Sequence, residues 1–72
     1  MTRPSVPPGV PQGLTTGQVA QVIRMSERTV RTWAEQGTLP FDRIGGRRYM
    51  LAGKLARWLD ERGWEGDWEA VL

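Results

Sequence analysis

Arginine is the residue type with the most obvious chemical use in this chain. Nine of the ten basic residues are arginine, and the chain contains no histidine and no cysteine. A guanidinium group is planar and forked, so it binds phosphate oxygens and guanine edges through paired hydrogen bonds. Without histidine and cysteine, the commonest general base, the commonest metal ligand and all thiolate sites are missing. The composition therefore counts against an enzyme, and no catalytic residue, metal site or cofactor is predicted.

The charges are unevenly distributed along the chain. Residues 1–58 carry a net charge of +6 and residues 59–72 carry −4, within a total of +2. A basic body with an acidic end is the asymmetry expected when one face meets a polyanion. A solvated surface of mixed charge would have the same composition, and a GC-rich genome would also enrich arginine. Charge alone leaves these interpretations open.

Composition divides the chain into three segments. Four prolines lie within residues 1–13, which predicts a disordered, proline-rich arm. Residues 14–63 are predicted to hold the folded domain, near the lower size limit for a single core. Residues 64–72 form an acidic tail whose Trp64 and Trp68 either fold back on the core or stay exposed for a partner.

The chain shows no signal for membrane insertion or export. No apolar run approaches the length of a bilayer span, and the N-terminal residues lack the apolar stretch of a signal peptide. We therefore expect a cytoplasmic location and no membrane partner.

Two short capped helices are predicted at the start of the domain. Thr15 and Gln18 have the capping-box spacing, and apolar residues follow at helical intervals. Ser26 is a second N-cap, and Gly37 closes the helical run 27–36. Two such helices joined by a tight turn are typical of a helix-turn-helix.

A β-hairpin and a third helix are predicted to follow. Two β-prone runs, residues 41–44 and 47–50, flank Gly45 and Gly46, which favours a hairpin with a primed turn. Leucine and tryptophan then recur at helical spacing over residues 51–62. The sequence thus predicts a mainly α fold with a small β-hairpin, that is, a winged helix-turn-helix.

Five segments stand in a recognisable order within residues 14–62. They are Leu14-Thr15-Thr16 with Val19-Ala20, Ser26-Glu27-Arg28-Thr29-Val30-Arg31-Thr32-Trp33, Gly37-Thr38-Leu39-Pro40, Arg43-Ile44-Gly45-Gly46-Arg47 and Leu55-Ala56-Arg57-Trp58-Leu59. In this order and spacing the chain resembles the excisionase and MerR-like winged helix-turn-helix family. In that family the second helix enters the major groove of DNA and the hairpin, or wing, meets the adjacent minor groove or the backbone. The resemblance implies a small phage- or plasmid-type protein that binds double-stranded DNA.

The resemblance also implies which residues contact DNA. The candidates on the second helix are Glu27, Arg28, Thr29, Arg31 and Thr32, and those on the wing are Arg43, Arg47 and Arg48. Arg28 or Arg31 could pair with guanine O6 and N7, a contact worth roughly 1–3 kcal/mol of discrimination. The wing arginines suit the narrow minor groove, where the negative potential is enhanced. Glu27 and Thr32 could equally be ordinary helix surface, with Glu27 favouring the helix dipole.

Three features depart from the family pattern. Arg24 and Met25 stand where the turn usually has a glycine, and a left-handed non-glycine residue costs on the order of 1 kcal/mol. The third helix starts near Leu51 without a polar cap, so its first turn is expected to fray. Acidic side chains repel phosphates, so the tail is expected to point away from DNA.

Three functions fit such a domain. An excisionase, or recombination directionality factor, binds repeated sites, bends DNA and directs an integrase toward excision. A small MerR-like transcriptional regulator is the alternative, although the long dimerisation helix of MerR proteins is not seen in this sequence. A protein-interaction adaptor that reuses the fold is a third. A lone module favours binding in arrays, and we expect head-to-tail self-association in which the acidic tail of one copy meets the basic body of the next.

Overall fold

Three helices and a three-stranded antiparallel sheet make up the fold in the computed structural model, which describes residues 6–72. The elements are β1 (Gly13–Leu14), α1 (Thr16–Ile23), α2 (Glu27–Gln36), β2 (Asp42–Ile44), β3 (Arg47–Leu51), α3 (Ala52–Glu61) and a short 3-10 helix (Trp68–Val71). The strand order is β1-β3-β2. The predicted winged helix-turn-helix is confirmed. None of the helices in the described range is long and apolar enough to cross a membrane.

Side-chain caps start the first two helices, as the sequence predicts. The Gln18 amide donates to Thr15 Oγ1 over 3.2 Å, and the Thr15 amide donates to Gln18 Oε1 over 2.9 Å. Ser26 Oγ accepts from the Thr29 amide over 3.1 Å at the start of α2. These bonds satisfy amides that have no partner within their helix, so they fix where α1 and α2 begin.

The turn between α1 and α2 is left-handed at Arg24, whose φ is 60° and ψ is 40°. Arg24 is the one non-glycine residue with positive φ between residues 6 and 72. The Met25 amide donates to the Ala20 carbonyl over 3.0 Å and closes the helix end. The sequence predicts a strained residue here in place of glycine, and Arg24 is that residue. Its left-handed conformation costs on the order of 1 kcal/mol.

The wing is the β2–β3 hairpin, paired through Asp42 with Tyr49, Arg43 with Arg48 and Ile44 with Arg47. Gly45 and Gly46 have φ of 59° and 80°. Positive φ at both central residues is what a type I′ turn requires, and this confirms the predicted primed turn. The twist of that turn matches the twist of the strands, so the hairpin can close over two residues.

The proline-rich segment contributes more than an arm. Its residues 1–5 lie outside the described residues. In the described part, Gly13 pairs with Leu51, and Val6 and Val10 are half-buried against the core. Proline excludes a helix, and a turn closed by the Val10 amide, which donates to the Pro7 carbonyl over 3.4 Å, lets the two valines gain apolar burial. Residues 6–13 therefore differ from the unstructured arm that the sequence suggested.

The first turn of α3 is held by that same segment. Leu51 occupies the N-cap position and makes no side-chain capping bond, as expected. The Ala52 amide instead donates to the Gln12 carbonyl over 2.7 Å. This main-chain oxygen satisfies one of the α3 amides that have no partner within the helix, as a capping side chain would. The bond therefore stabilises the first turn, which the sequence predicts to fray.

The core lies between the three helices and the sheet. Its fully buried side chains are Leu14, Val19, Val22, Ile23, Val30, Leu39, Met50 and Leu55. Trp58 is also buried, and its Nε1 donates to the Thr38 carbonyl over 2.9 Å. The rings of Trp33 and Trp64 both lie near the Trp58 ring, with centroids 6.2 and 5.7 Å away from it. This aromatic cluster ties α3 to α2 and to the tail.

The tail folds back on α1 and α3, which is one of the two arrangements that the sequence allowed. The Asp67 amide donates to the Val22 carbonyl over 2.7 Å, and Val71 is buried. Trp64 and Trp68 are half-buried against the core. Because a small domain has little apolar surface to bury, these contacts make the tail part of the folded unit.

Candidate nucleic-acid interface

One side of α2 packs against the core, and this leaves the opposite side exposed. Val30 is fully buried, and Trp33 and Ala34 are half-buried. The exposed side carries Glu27, Arg28, Arg31, Thr32 and Glu35. Four of the five candidates on this helix therefore lie on its open face, and the fifth, Thr29, is half-buried.

Glu27 connects the two helices of the helix-turn-helix. Its Oε2 accepts a hydrogen bond of 3.0 Å from Thr16 Oγ1 at the start of α1. The same oxygen pairs with Arg31 Nη2 over 3.3 Å, one helical turn away. Glu27 therefore helps to set the angle between the helices and also neutralises part of the charge of Arg31. A contact between residues eleven apart has no signature in the sequence.

The two threonines of α2 are partly committed to local bonds. The hydroxyls of Thr29 and Ser26 lie 2.9 Å apart at the helix N-cap. Thr32 Oγ1 donates to the Arg28 carbonyl over 3.1 Å. Thr32 thus keeps an acceptor lone pair and its methyl group for the surface, whereas Thr29 is mainly part of the cap.

The register of the hairpin decides which way each wing arginine points. Residues directly opposite each other share a face, and that face alternates along the strand. Arg43 and Arg48 therefore share the face of buried Met50, which is turned toward the helices. Arg48 Nη1 accordingly lies 4.0 Å from Glu35 Oε1 of α2. Arg47 lies on the opposite face.

The start of α1, Arg31 of α2 and the wing together line an open cleft of about 420 Å³, which we call the basic cleft. It is lined by Thr15, Thr16, Arg31, Arg43, Gly46, Arg47, Arg48 and Tyr49. Four arginines thus line one open groove, beside two threonines and a tyrosine, whose side chains carry hydroxyl groups. Such a set of donors suits the phosphate oxygens of a nucleic-acid backbone.

Three of the residues in the basic cleft are not among the DNA contacts predicted from the sequence. The sequence predicts Thr15 only as a helix cap and predicts no DNA contact for Thr16 or Tyr49. Residue type gives no signal for them, because a threonine or tyrosine becomes a phosphate donor only through its position. Arg43 and Arg48, by contrast, are predicted as DNA contacts from their residue type and their place in the wing.

Two carboxylates border the basic cleft without closing it. They are Glu27, which pairs with Arg31, and Glu35, which pairs with Arg48. The Glu27 side chain is 46% exposed and the Glu35 side chain is 66% exposed. Exposed ion pairs of this kind contribute about 0–1 kcal/mol. The arginines can therefore exchange a carboxylate for a phosphate at little cost.

The acidic residues near the C-terminus occupy a different surface. Asp60, Glu61, Glu65 and Glu69 are exposed on the end of α3 and on the tail. None of them lines the basic cleft. The separation of charge that the sequence shows is therefore also a separation in space.

Comparison with known proteins identifies a family for this chain. A family model described as a helix-turn-helix domain matches residues 14–63, more than two thirds of the chain. No curated protein and no solved structure matches. The matched span covers both helices, the wing and all of α3.

Proposed function

Since this chain belongs to the helix-turn-helix domain family, which indicates DNA binding, we propose that it acts as an excisionase on double-stranded DNA. In this role it binds repeated sites, bends the DNA and directs an integrase toward excision. The proposal is one of binding and positioning, without catalysis, and it places the protein in the cytoplasm with the DNA. The observation that carries it is the basic cleft between α2 and the wing, where four arginines converge.

The arrangement supports different roles for α2 and the wing in DNA binding. The major groove, about 12 Å wide, admits an α-helix. With α2 in that groove, the exposed side chain of Arg28 can reach base edges. The backbone strand that separates the two grooves then passes the basic cleft, where Arg31, Arg43 and Arg48 contact phosphates. Arg47 on the outer face of the wing lies toward the adjacent minor groove.

The small size of the domain favours binding in arrays. A single module of this kind buries roughly 600–1,000 Å² of protein surface on DNA. Affinity from so small an interface is modest, and occupation of several adjacent sites raises it without new contacts to the DNA. Arrays of bound copies that bend DNA are also what an excisionase supplies to an integrase.

Footprinting on attachment-site DNA tests the excisionase role. We expect the protein to protect several short sites with regular spacing, and we expect integrase protection to change when the protein is added. The control is a promoter fragment from the same replicon. Protection of the promoter alone, with no effect on the integrase footprint, would favour a transcriptional regulator instead.

We further propose head-to-tail contact between adjacent copies on DNA, through the acidic end of one copy and the basic body of the next. Deletion of the tail is a poor test, because Val71 and the two tail tryptophans pack on the core. The double variant Glu65→Gln and Glu69→Gln keeps the shape of the tail and removes two exposed charges.

This variant is expected to lose cooperativity on a DNA with several sites while its affinity for one isolated site is unchanged. The measurement is a titration of each DNA by mobility shift. Unchanged cooperativity on the multi-site DNA would contradict the head-to-tail contact. The single-site DNA serves as the control for folding and for the basic cleft.

A further inference from the structure

Ile44, at the end of the wing, is an apolar side chain in an unusual position. The residue is 60% exposed, although most large apolar residues of the described chain are buried. It is the last residue of β2 before the Gly45-Gly46 turn, and it pairs with Arg47 across the hairpin. Ile44 is not among the residues that pack against the core.

The tip of the wing projects into open space. Nothing lies within 4 Å of the positions where Gly45 or Gly46 would carry a Cβ. Because neither turn residue has a side chain, Ile44 and Arg47 are the last side chains before the tip. Both point to the face opposite Met50. The end of the wing is therefore narrow, with one aliphatic group and one guanidinium side by side.

We propose that Ile44 acts as a wedge that inserts between base pairs from the minor groove. This inference rests on the proposed DNA binding and adds to it a mechanism for bending. Proteins that kink DNA from the minor groove use apolar side chains, isoleucine among them, to unstack a base step. Insertion removes the side chain from water, which offsets part of the cost of unstacking.

Arg47 provides the accompanying electrostatic contact. The narrow minor groove concentrates negative potential, which attracts an inserted arginine. A tip that ends in two glycines brings the main chain close to the floor of the groove. The paired residues thus act together: Arg47 holds the wing in place, and Ile44 separates the bases.

The alternative to a wedge is that Ile44 is present only because isoleucine favours β-strands. Ile44→Thr separates these roles, because threonine is also β-branched and favours strands but lacks the apolar end. The matched control is Leu51→Thr at the other end of the hairpin, on β3. Leu51 is also strongly exposed, at 49%, and it lies away from the tip. Threonine at that N-cap position does not weaken α3.

Plasmid relaxation by a topoisomerase, in the presence of saturating protein, measures the wedge without knowledge of the binding sequence. Unstacking by a wedge untwists the duplex, so wild type and Leu51→Thr are expected to lower the linking number of the relaxed plasmid. Ile44→Thr is expected to bind with the same salt dependence and to leave the linking number at the value of free plasmid. Ile44→Phe, which keeps a large apolar side chain at the tip, should lower the linking number as wild type does.

Two results would overturn the wedge. One is an equal linking-number shift for Ile44→Thr and wild type, and the other is saturating binding by wild type with no shift at all. In both cases DNA binding itself still stands, because a mobility shift on the same plasmid reports it separately. Absence of any binding by wild type would overturn the proposed function as well.

Discussion

Arg28→Ala is expected to weaken binding to a selected DNA sequence by about 10- to 100-fold, the equivalent of one lost bidentate base contact. Binding to random DNA should change little, because that affinity comes from phosphate contacts. Arg28 is exposed on α2 and lies outside the basic cleft. The sequence to be used is the one enriched from a random library by wild-type protein, and the measurement is the Kd on both DNAs at fixed salt.

Arg43→Ala and Arg31→Ala are expected to behave differently from Arg28→Ala. Both side chains line the basic cleft, so their loss should weaken binding to selected and random DNA by similar factors. Arg57→Ala is the matched control, since Arg57 is exposed on α3 and does not line that cleft. Equal losses for Arg28→Ala and Arg43→Ala on both DNAs would remove the distinction between base reading and backbone contact.

Gly66→Ala is expected to destabilise the domain strongly. A Cβ at Gly66 would lie 2.7 Å from Leu59 Cδ1 and 2.9 Å from Val22 Cγ1, which are groups of the packed core. The tail would have to move away from α1 and strain the bond from the Asp67 amide to the Val22 carbonyl. Overpacking of this kind costs typically about 1–3 kcal/mol. In a domain of this size the melting temperature should fall by roughly 5–20 °C.

Gly53→Ala is the matched control for this substitution. Gly53 lies in the first turn of α3, and no atom lies within 4 Å of its Cβ position. Alanine is the better helix former by up to about 1 kcal/mol, so this variant should be as stable as wild type or more stable. Thermal unfolding followed by circular dichroism compares the two. A melting temperature for Gly66→Ala equal to wild type would show that the tail does not pack on the core.

Local signals account for the part of the fold that could be predicted. Thr15 and Gln18 satisfy each other's amides within one turn, so four residues contain all the information for the start of α1. Gly45 and Gly46 likewise define the hairpin, because they tolerate positive φ. Features of this kind depend on neighbours in sequence and are readable without the rest of the chain.

The features that escaped prediction all depend on contacts between distant segments. Strand β1 has two residues and exists because β3 offers it an edge. Gly66 is small because Leu59 and Val22 leave no room beside it, and nothing around it in the sequence reveals that. The same holds for the candidate site. The arginines were recognisable by type, but the pairing of Arg48 with Glu35 and the inclusion of Tyr49 follow from how the wing packs beside α2.

The central claim is that the basic cleft binds the phosphate backbone of double-stranded DNA, and the salt dependence of binding tests it most directly. For each phosphate contact, the slope of log K against log salt becomes more negative by about 0.9. Wild-type protein on a random duplex should therefore show a steep slope. Arg31→Ala and Arg43→Ala should each make it shallower by about 1, and Arg57→Ala should leave it unchanged. A shallow slope, no detectable binding, or identical slopes for wild type and both cleft variants would contradict the claim.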